Sequence, residues 1–218
     1  AGEMLSSYAR HFRTAEINTT FYRLPGEQAV DNWRAAVPDD FVFSAKASRF
    51  ITHMKKLKEP AVTLPPFIER IALLGPRLGP ILFQLPAGWR LNLERLHMFL
   101  RALDKRHRYA FECRDPSWFD DRVYAALAEH QVAWCIWDLD QQLSPVEVTT
   151  DFAYIRLHGP AGPYCGSYDK HALSVWARRI RSWQAQGRQV YCYFDNDEAG
   201  YAPQNALALR GLAEQSGE

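Results

Sequence analysis

Tyr109-Ala110-Phe111-Glu112-Cys113-Arg114-Asp115-Pro116-Ser117-Trp118-Phe119 is the stretch whose reading decides the fold. A short apolar run with the character of a buried strand ends in Glu112, Arg114 and Asp115 and breaks at Pro116, ahead of a helical pattern. In an extended chain Ala110, Glu112 and Arg114 face one side and Tyr109, Phe111 and Cys113 the other. The carboxylate and the guanidinium therefore share a face and supply each other with a partner, while the apolar face is left to pack.

The same unit recurs outward in both directions. Upstream, strands are expected at Thr14–Asn18, with Glu16 and Asn18 on one face, at Phe41–Lys46, ending in Lys46, and at Pro80–Pro86, with Gln84 near its end. Downstream they are expected at Val132–Asp138, at Phe152–His158, where Tyr154, Arg156 and His158 share a face, and at Gln189–Phe194, followed by Asp195-Asn196-Asp197. Helical periodicity fills the intervals. It runs from Met4 to Phe12, from Gly26 through Trp33, over Val62–Leu74 with Pro65 and Pro66 early, and over Asn92–Leu103. It returns over Asp121–Glu129, Leu173–Gln184 and Pro203–Leu212. Ala47 to about Pro60 reads as a longer insertion that holds His53 amid lysines, and Gly159–Tyr168 as a rigid, aromatic, glycine-rich loop. Strand and helix in alternation call for parallel strands joined by right-handed crossovers. Polar residues close nearly every strand, which favours a TIM-type (β/α) barrel over an open doubly wound sheet with a single switch point.

Composition narrows the function classes. The 218 residues suit one domain, and a formal net charge of +1 does not favour general nucleic-acid binding. The densest basic run, Lys46 to Lys58, reads first as a solvated face and second as a phosphate-binding patch. Cys113, Cys135, Cys165 and Cys192 lie far apart with no Cys-x-x-Cys pair, which suggests a reduced, cytoplasmic protein without a zinc cluster. No apolar run reaches the length of a membrane span.

Several of these segments together resemble the YecE-like family, also called the DUF72 family. They are Glu16–Pro25, Phe43-Ser44-Ala45-Lys46, Phe83-Gln84-Leu85-Pro86, Phe111-Glu112-Cys113-Arg114, Arg156-Leu157-His158-Gly159 and Tyr193–Asp197 with the trailing Ala206. The resemblance covers essentially the whole chain and implies a TIM-type barrel over residues 1–218. Members usually open with a strand and a Gly-Thr-Ser-Gly-Trp-like segment. This sequence instead begins at Ala1 and passes almost directly into a helical pattern. The expectation is a barrel of seven β/α units without its first strand, leaving the strands at Glu16 and Tyr191 as edges. The resemblance brings no established activity with it.

Barrel enzymes place their chemistry at the C-terminal ends of the strands. Glu112, His158, Asp195 and Glu16 are therefore the catalytic candidates, as general acid or base or, for the carboxylates, as metal ligands. Lys46, Gln84, Arg114, Arg156, Asn18, Asp138, Asn196 and Tyr22 are candidates for holding a small-molecule ligand. Each has a structural reading beside the functional one. Glu112 with Arg114 or Arg156 is an ion pair, His158 bonds a carbonyl, Asp195-Asn196-Asp197 is a turn or cap, Gln84 satisfies backbone groups, and Asp138 makes an Asx turn. Trp89, Trp118, Tyr22, Tyr164 and Tyr168 follow strands and could stack on a sugar or base. Three functions fit: a hydrolase, lyase or isomerase acting on a small polar, phosphorylated or sugar-like substrate; an enzyme using a divalent cation, magnesium or manganese, on Glu16, Glu112, Asp138, His158 and Asp195; and a non-catalytic nucleotide or nucleic-acid binder.

Overall fold

The computed structural model describes residues 2–214; Ala1 and residues 215–218 lie outside it. The chain alternates seven parallel strands with helices and has the TIM-type fold class. It divides into two compact units, Ala1–Val132 and Ala133–Glu218.

The first unit begins with α1 (Gly2–Tyr8), β1 (Thr14–Ile17), the single turn α2 (Thr19–Tyr22), α3 (Glu27–Ala35) and β2 (Val42–Lys46). After a π-helical turn at Phe50–Met54 come α4 (Pro60–Thr63), α5 (Pro65–Ala72), β3 (Leu78–Gln84), α6 (Leu93–Arg101), β4 (Tyr109–Glu112) and α7 (Asp121–Glu129). The strands pair in parallel in sequence order, with a register shift in β2 between Phe43 and Ala45. Register fixes what each face carries. Ala15, Ile17 and Phe43 join Val30, Val37, Phe41 and Leu74 in an apolar cluster with Trp33 and Leu5. The opposite face carries Glu16 paired with Ser44, Lys46 paired with Leu82, and Gln84 paired with Glu112. One sheet thus sends its hydrophobic side to the helices and its strand-end polar groups to the other side.

The second unit holds β5 (Val132–Leu139), β6 (Gln142–Leu143), β7 (Phe152–Leu157), α8 (Lys170–Ala185), β8 (Gln189–Phe194) and α9 (Tyr201–Glu214). β5, β7 and β8 pair in parallel, and β6 folds back antiparallel on β5. α8 buries Leu173, Trp176, Ala177, Ile180 and Trp183 along one stripe, and the Asp169 carboxylate caps it by accepting from the Ala172 N–H.

The structure departs from the sequence expectations in a few places. The helix expected over Val62–Leu74 is two, broken at Leu64, because Pro65 cannot donate back into α4. The insertion after β2 is ordered by its π turn and by Lys56, Leu57 and Glu59 at positive φ. β6 was not expected, since two exposed residues carry no periodicity. Trp118 and Tyr168 are buried and so are not ligand platforms: Trp118 donates its indole N–H to the Trp89 carbonyl, and the Tyr168 hydroxyl accepts from the Gly159 N–H. Within their own units β1 pairs with β2 and β8 with β7, and both are less buried than β3, β4 or β7. Among the described residues no helix is long and apolar enough to cross a membrane.

Candidate functional site

The C-terminal ends of the first unit's strands gather six of the expected residues: Glu16, Asn18, Lys46, Gln84, Glu112 and Arg114. Glu112 is fully buried, and its Oε1 accepts from the Arg114 Nε at 2.6 Å. The spacing of two residues on one strand face makes this pair, as the opening stretch implies. Gln84, beside Glu112 in register, is 8% exposed, and its Oε1 is buried without a hydrogen-bond partner among the described residues. Asn18 precedes α2 but its side chain does not cap that helix, and its Oδ1 is likewise unmatched. Glu16 and Asn18 also border a cleft of about 1130 Å³ lined by α1 and α3.

Lys46 lies with its Nζ 4.6 Å from the centre of the Phe21 ring. Phe21 meets Tyr22 edge-on at 5.0 Å and the His53 ring edge-on at 5.0 Å, and the Arg49 guanidinium lies 6.0 Å from the Tyr22 ring centre. Tyr22 is 70% exposed. His53 accordingly belongs with the strand-end cations. Burial lowers its pKa first, and repulsion from Lys46, Arg114 and Arg49 lowers it further. The sequence showed His53 only as a histidine among lysines; no helical spacing could place it, because a π turn carries it.

The second unit orders its strand ends differently. Arg156 lies near the end of β7 and His158 directly follows it, and both are buried. Asp195 follows β8, whose pairing with β7 continues through the Asp195 N–H to the Leu157 carbonyl at 2.8 Å. Its Oδ2 lies 2.9 Å from Arg156 Nη2 and 3.2 Å from His158 Nδ1, both at ion-pair distance and neither aligned as a hydrogen bond. Arg156 Nη1 stands 3.5 Å from His158 Nε2. The ring thus stands between a cation at Nε2 and a carboxylate at Nδ1.

The loop over this cluster is tightly tied. Asn196 donates to the Gly166 carbonyl at 2.8 Å and to Asn205 Oδ1 at 2.9 Å; Asn205 in turn donates to Ser167 Oγ and the Tyr168 carbonyl and accepts from the Tyr168 N–H. Asn196 is therefore a fastener of the loop more than a ligand contact, although its buried Oδ1 is unmatched. Gly159, at φ +119°, approaches Cys165 so closely that a Cβ would lie 2.3 Å from the Cys165 oxygen. The loop carries Tyr164, half exposed, edge-on to the His158 ring at 5.5 Å. Asp138 falls on the other face of the sheet from Arg156, in register with Leu157. Burial raises its pKa, and the Tyr168 hydroxyl donates to it. It anchors the loop from below. Asn205, which the sequence reading missed, is the hub of the fastening; a polar residue at a buried position of an amphipathic helix is the signal that marks it.

Among the described residues no three His, Cys, Asp or Glu side chains are placed to share a metal ion, so the divalent-cation reading gains nothing from the geometry. The four cysteines form no disulfide, and burial raises the pKa of Cys113 and Cys192, so neither is an activated nucleophile.

Comparison with known proteins bears on the whole chain. The family described as "Protein of unknown function DUF72" matches residues 1–218. The UPF0759 protein YecE of Escherichia coli strain K12 is 29% identical, covering 92% of this chain and 82% of its own length. The UPF0759 protein YunF of Bacillus subtilis strain 168 is 24% identical over 95% of this chain and 86% of its own. Crystal structures of DUF72 family proteins from Thermotoga maritima MSB8 (26% identity, TM-score 0.86, 98% of this chain and 90% of that one) and Enterococcus faecalis V583 (22% identity, TM-score 0.86, 98% and 89%) have the same fold. The chain belongs to the DUF72 family.

Proposed function

We propose that this protein is an enzyme that moves protons on a small polar, sugar-like or phosphorylated substrate at the C-terminal ends of its strands, as a hydrolase, lyase or isomerase. The observation that carries this reading is the buried cluster at the end of β7 and β8: Arg156 and His158 both converge on one oxygen of Asp195. An ion pair that only held the fold would need Arg156 and Asp195. A third, titratable member facing the exposed Tyr164 ring adds a group that can take a proton from one substrate atom and return it to another. Asp195 stands beside His158 at ion-pair distance; Glu112, buried beside Arg114 in the first unit, is a separate acid/base candidate. Four cysteines without a disulfide, two of them buried, support a cytoplasmic setting.

The test is incubation in D₂O with a panel of sugars, sugar acids and sugar phosphates, following both product formation and carbon-bound deuterium by NMR. Turnover or exchange that falls roughly 10²–10⁴-fold in His158→Ala supports the reading. Equal activity in wild type and variant overturns the role of His158, and no reaction across the panel overturns the enzyme.

A further inference from the structure

We propose that Lys46, Arg49, His53 and Arg114 form the seat for the phosphate group of a small phosphorylated polyol, and that Gln84 meets one of its hydroxyls. This deepens the reading above by naming the group held, and rests on that reading only for turnover. The four side chains come from the end of β2, the insertion behind it and the segment after β4, all in the first unit. Lys46 Nζ lies 4.6 Å from the centre of the Phe21 ring, the His53 ring meets Phe21 edge-on at 5.0 Å, and the Arg49 guanidinium lies 6.0 Å from the adjoining Tyr22 ring, so these groups share one place; after burial, repulsion from Lys46, Arg114 and Arg49 lowers the His53 pKa. Of the groups facing His53, Thr52 Oγ1 lies 2.9 Å from Nδ1 and Phe21 is an uncharged edge; Glu112 is bonded to Arg114. Arg49 is exposed and makes no ion pair among the described residues, only the long contact with Tyr22. A doubly charged oxyanion suits three donors of this kind, guanidinium groups being able to bind it in bidentate fashion.

Two independent features specify the rest of the ligand. Gln84 is more than nine-tenths buried and has an unmatched carboxamide oxygen, on the sheet face that also bears Lys46 and Glu112. A buried amide left with an unmet end is costly, and a hydroxyl, able to donate or accept, can meet it. Phe21 and the exposed Tyr22 give an aromatic wall for the C–H side of a sugar ring. A nucleic-acid track fits less well. Of the neighbouring lysines, Lys55 is paired with Glu59 at 2.5 Å, and the chain carries a net charge of only +1, so the basic groups form one compact seat instead of a stripe.

The seat makes a linkage prediction. An anion cancels the repulsion that helps depress His53, so binding draws a proton onto the ring, and affinity rises as pH falls. Sulfate, whose charge does not change in this range, isolates that effect from the phosphate's own titration.

The experiment is calorimetric titration of the full chain with sulfate, inorganic phosphate, a hexose phosphate, the free hexose and a single-stranded oligonucleotide. The expected result is a hexose phosphate at least about tenfold tighter than the free hexose, and roughly tenfold weaker in Arg49→Ala and in Lys46→Ala. Gln84→Leu should weaken the hexose phosphate and spare inorganic phosphate. Sulfate should bind wild type with proton uptake that His53→Gln abolishes. Arg49 is exposed, so its variant keeps the test open if Lys46→Ala fails to fold. His158→Ala is expected to keep the affinity, so loss of turnover with retained binding counts against the catalytic reading alone. A hexose phosphate no tighter than the hexose, affinity unchanged in Arg49→Ala, or an oligonucleotide that outcompetes it would overturn the proposal.

Discussion

The two units end their strands in opposite styles. In the second, Arg156, His158 and Asp195 are bound to one another, under a loop fixed by Asn196, Asn205 and Tyr168. In the first, Lys46 and Arg49 lean on aromatic rings, and Gln84 and Asn18 present polar atoms that nothing among the described residues matches. His158 Nδ1, Asp195 Oδ2 and Asn196 Oδ1 are also buried without an aligned hydrogen bond among the described residues, so the difference lies in charge and fastening. In the second unit a carboxylate stands at ion-pair distance from two nitrogen groups beneath a tied loop, whereas in the first Lys46 and Arg49 lie beside the Phe21 and Tyr22 rings. The contrast is that of a preformed reacting centre and a receptive binding surface.

The largest effect should come from taking apart the Arg156–His158–Asp195 cluster. Asp195→Ala removes the carboxylate that faces a buried guanidinium and should cost roughly 3 kcal/mol or more in urea unfolding. A loss below about 1 kcal/mol would mean that the cluster does not hold the fold. Next, Gly159→Ala forces a side chain into a positive-φ position against the Cys165 backbone and should cost about 2–3 kcal/mol, with faster proteolysis of the loop. An unaffected variant would show that the loop is not rigid and would blur the contrast between the units.

These two predictions also show what the sequence made legible. The face shared by Arg156 and His158, and the pairing of Glu112 with Arg114, follow from period-two alternation alone and appear as read. The seven parallel strands follow from turn chemistry and apolar runs. What the sequence could not show depends on long-range approach. Asp138 is one residue beyond Trp137, the register partner of Arg156, so it falls on the opposite face of the sheet from Arg156. Trp118 and Tyr168 look like loop aromatics until their polar atoms find backbone partners. His53 reaches the cations through a π turn, which no regular spacing announces.

Smaller effects sharpen the other side of the comparison. Arg49→Ala should change stability by less than about 0.5 kcal/mol, since an exposed side chain in a receptive surface contributes to binding and little to folding. Asp138→Asn tests whether that carboxyl serves only as an anchor. Its raised pKa means that the folded state holds the proton more tightly than the unfolded state. Its contribution to stability is therefore present at low pH and is lost as pH rises from about 4 through the folded value. The amide can still accept from Tyr168, so thermal melts should show that part of the pH slope flattened and stability at pH 7 unchanged or slightly higher. A clear loss at pH 7 would give the ionised carboxylate a positive role.

The most direct test of the contrast is amide hydrogen exchange of the whole protein with and without a hexose phosphate. Slow exchange is expected over residues 156–168 in both states, with new protection on binding over residues 18–24 and 46–58. Rapid exchange of the 156–168 loop that becomes slow only with ligand, beside an unchanged 46–58 segment, would contradict that contrast.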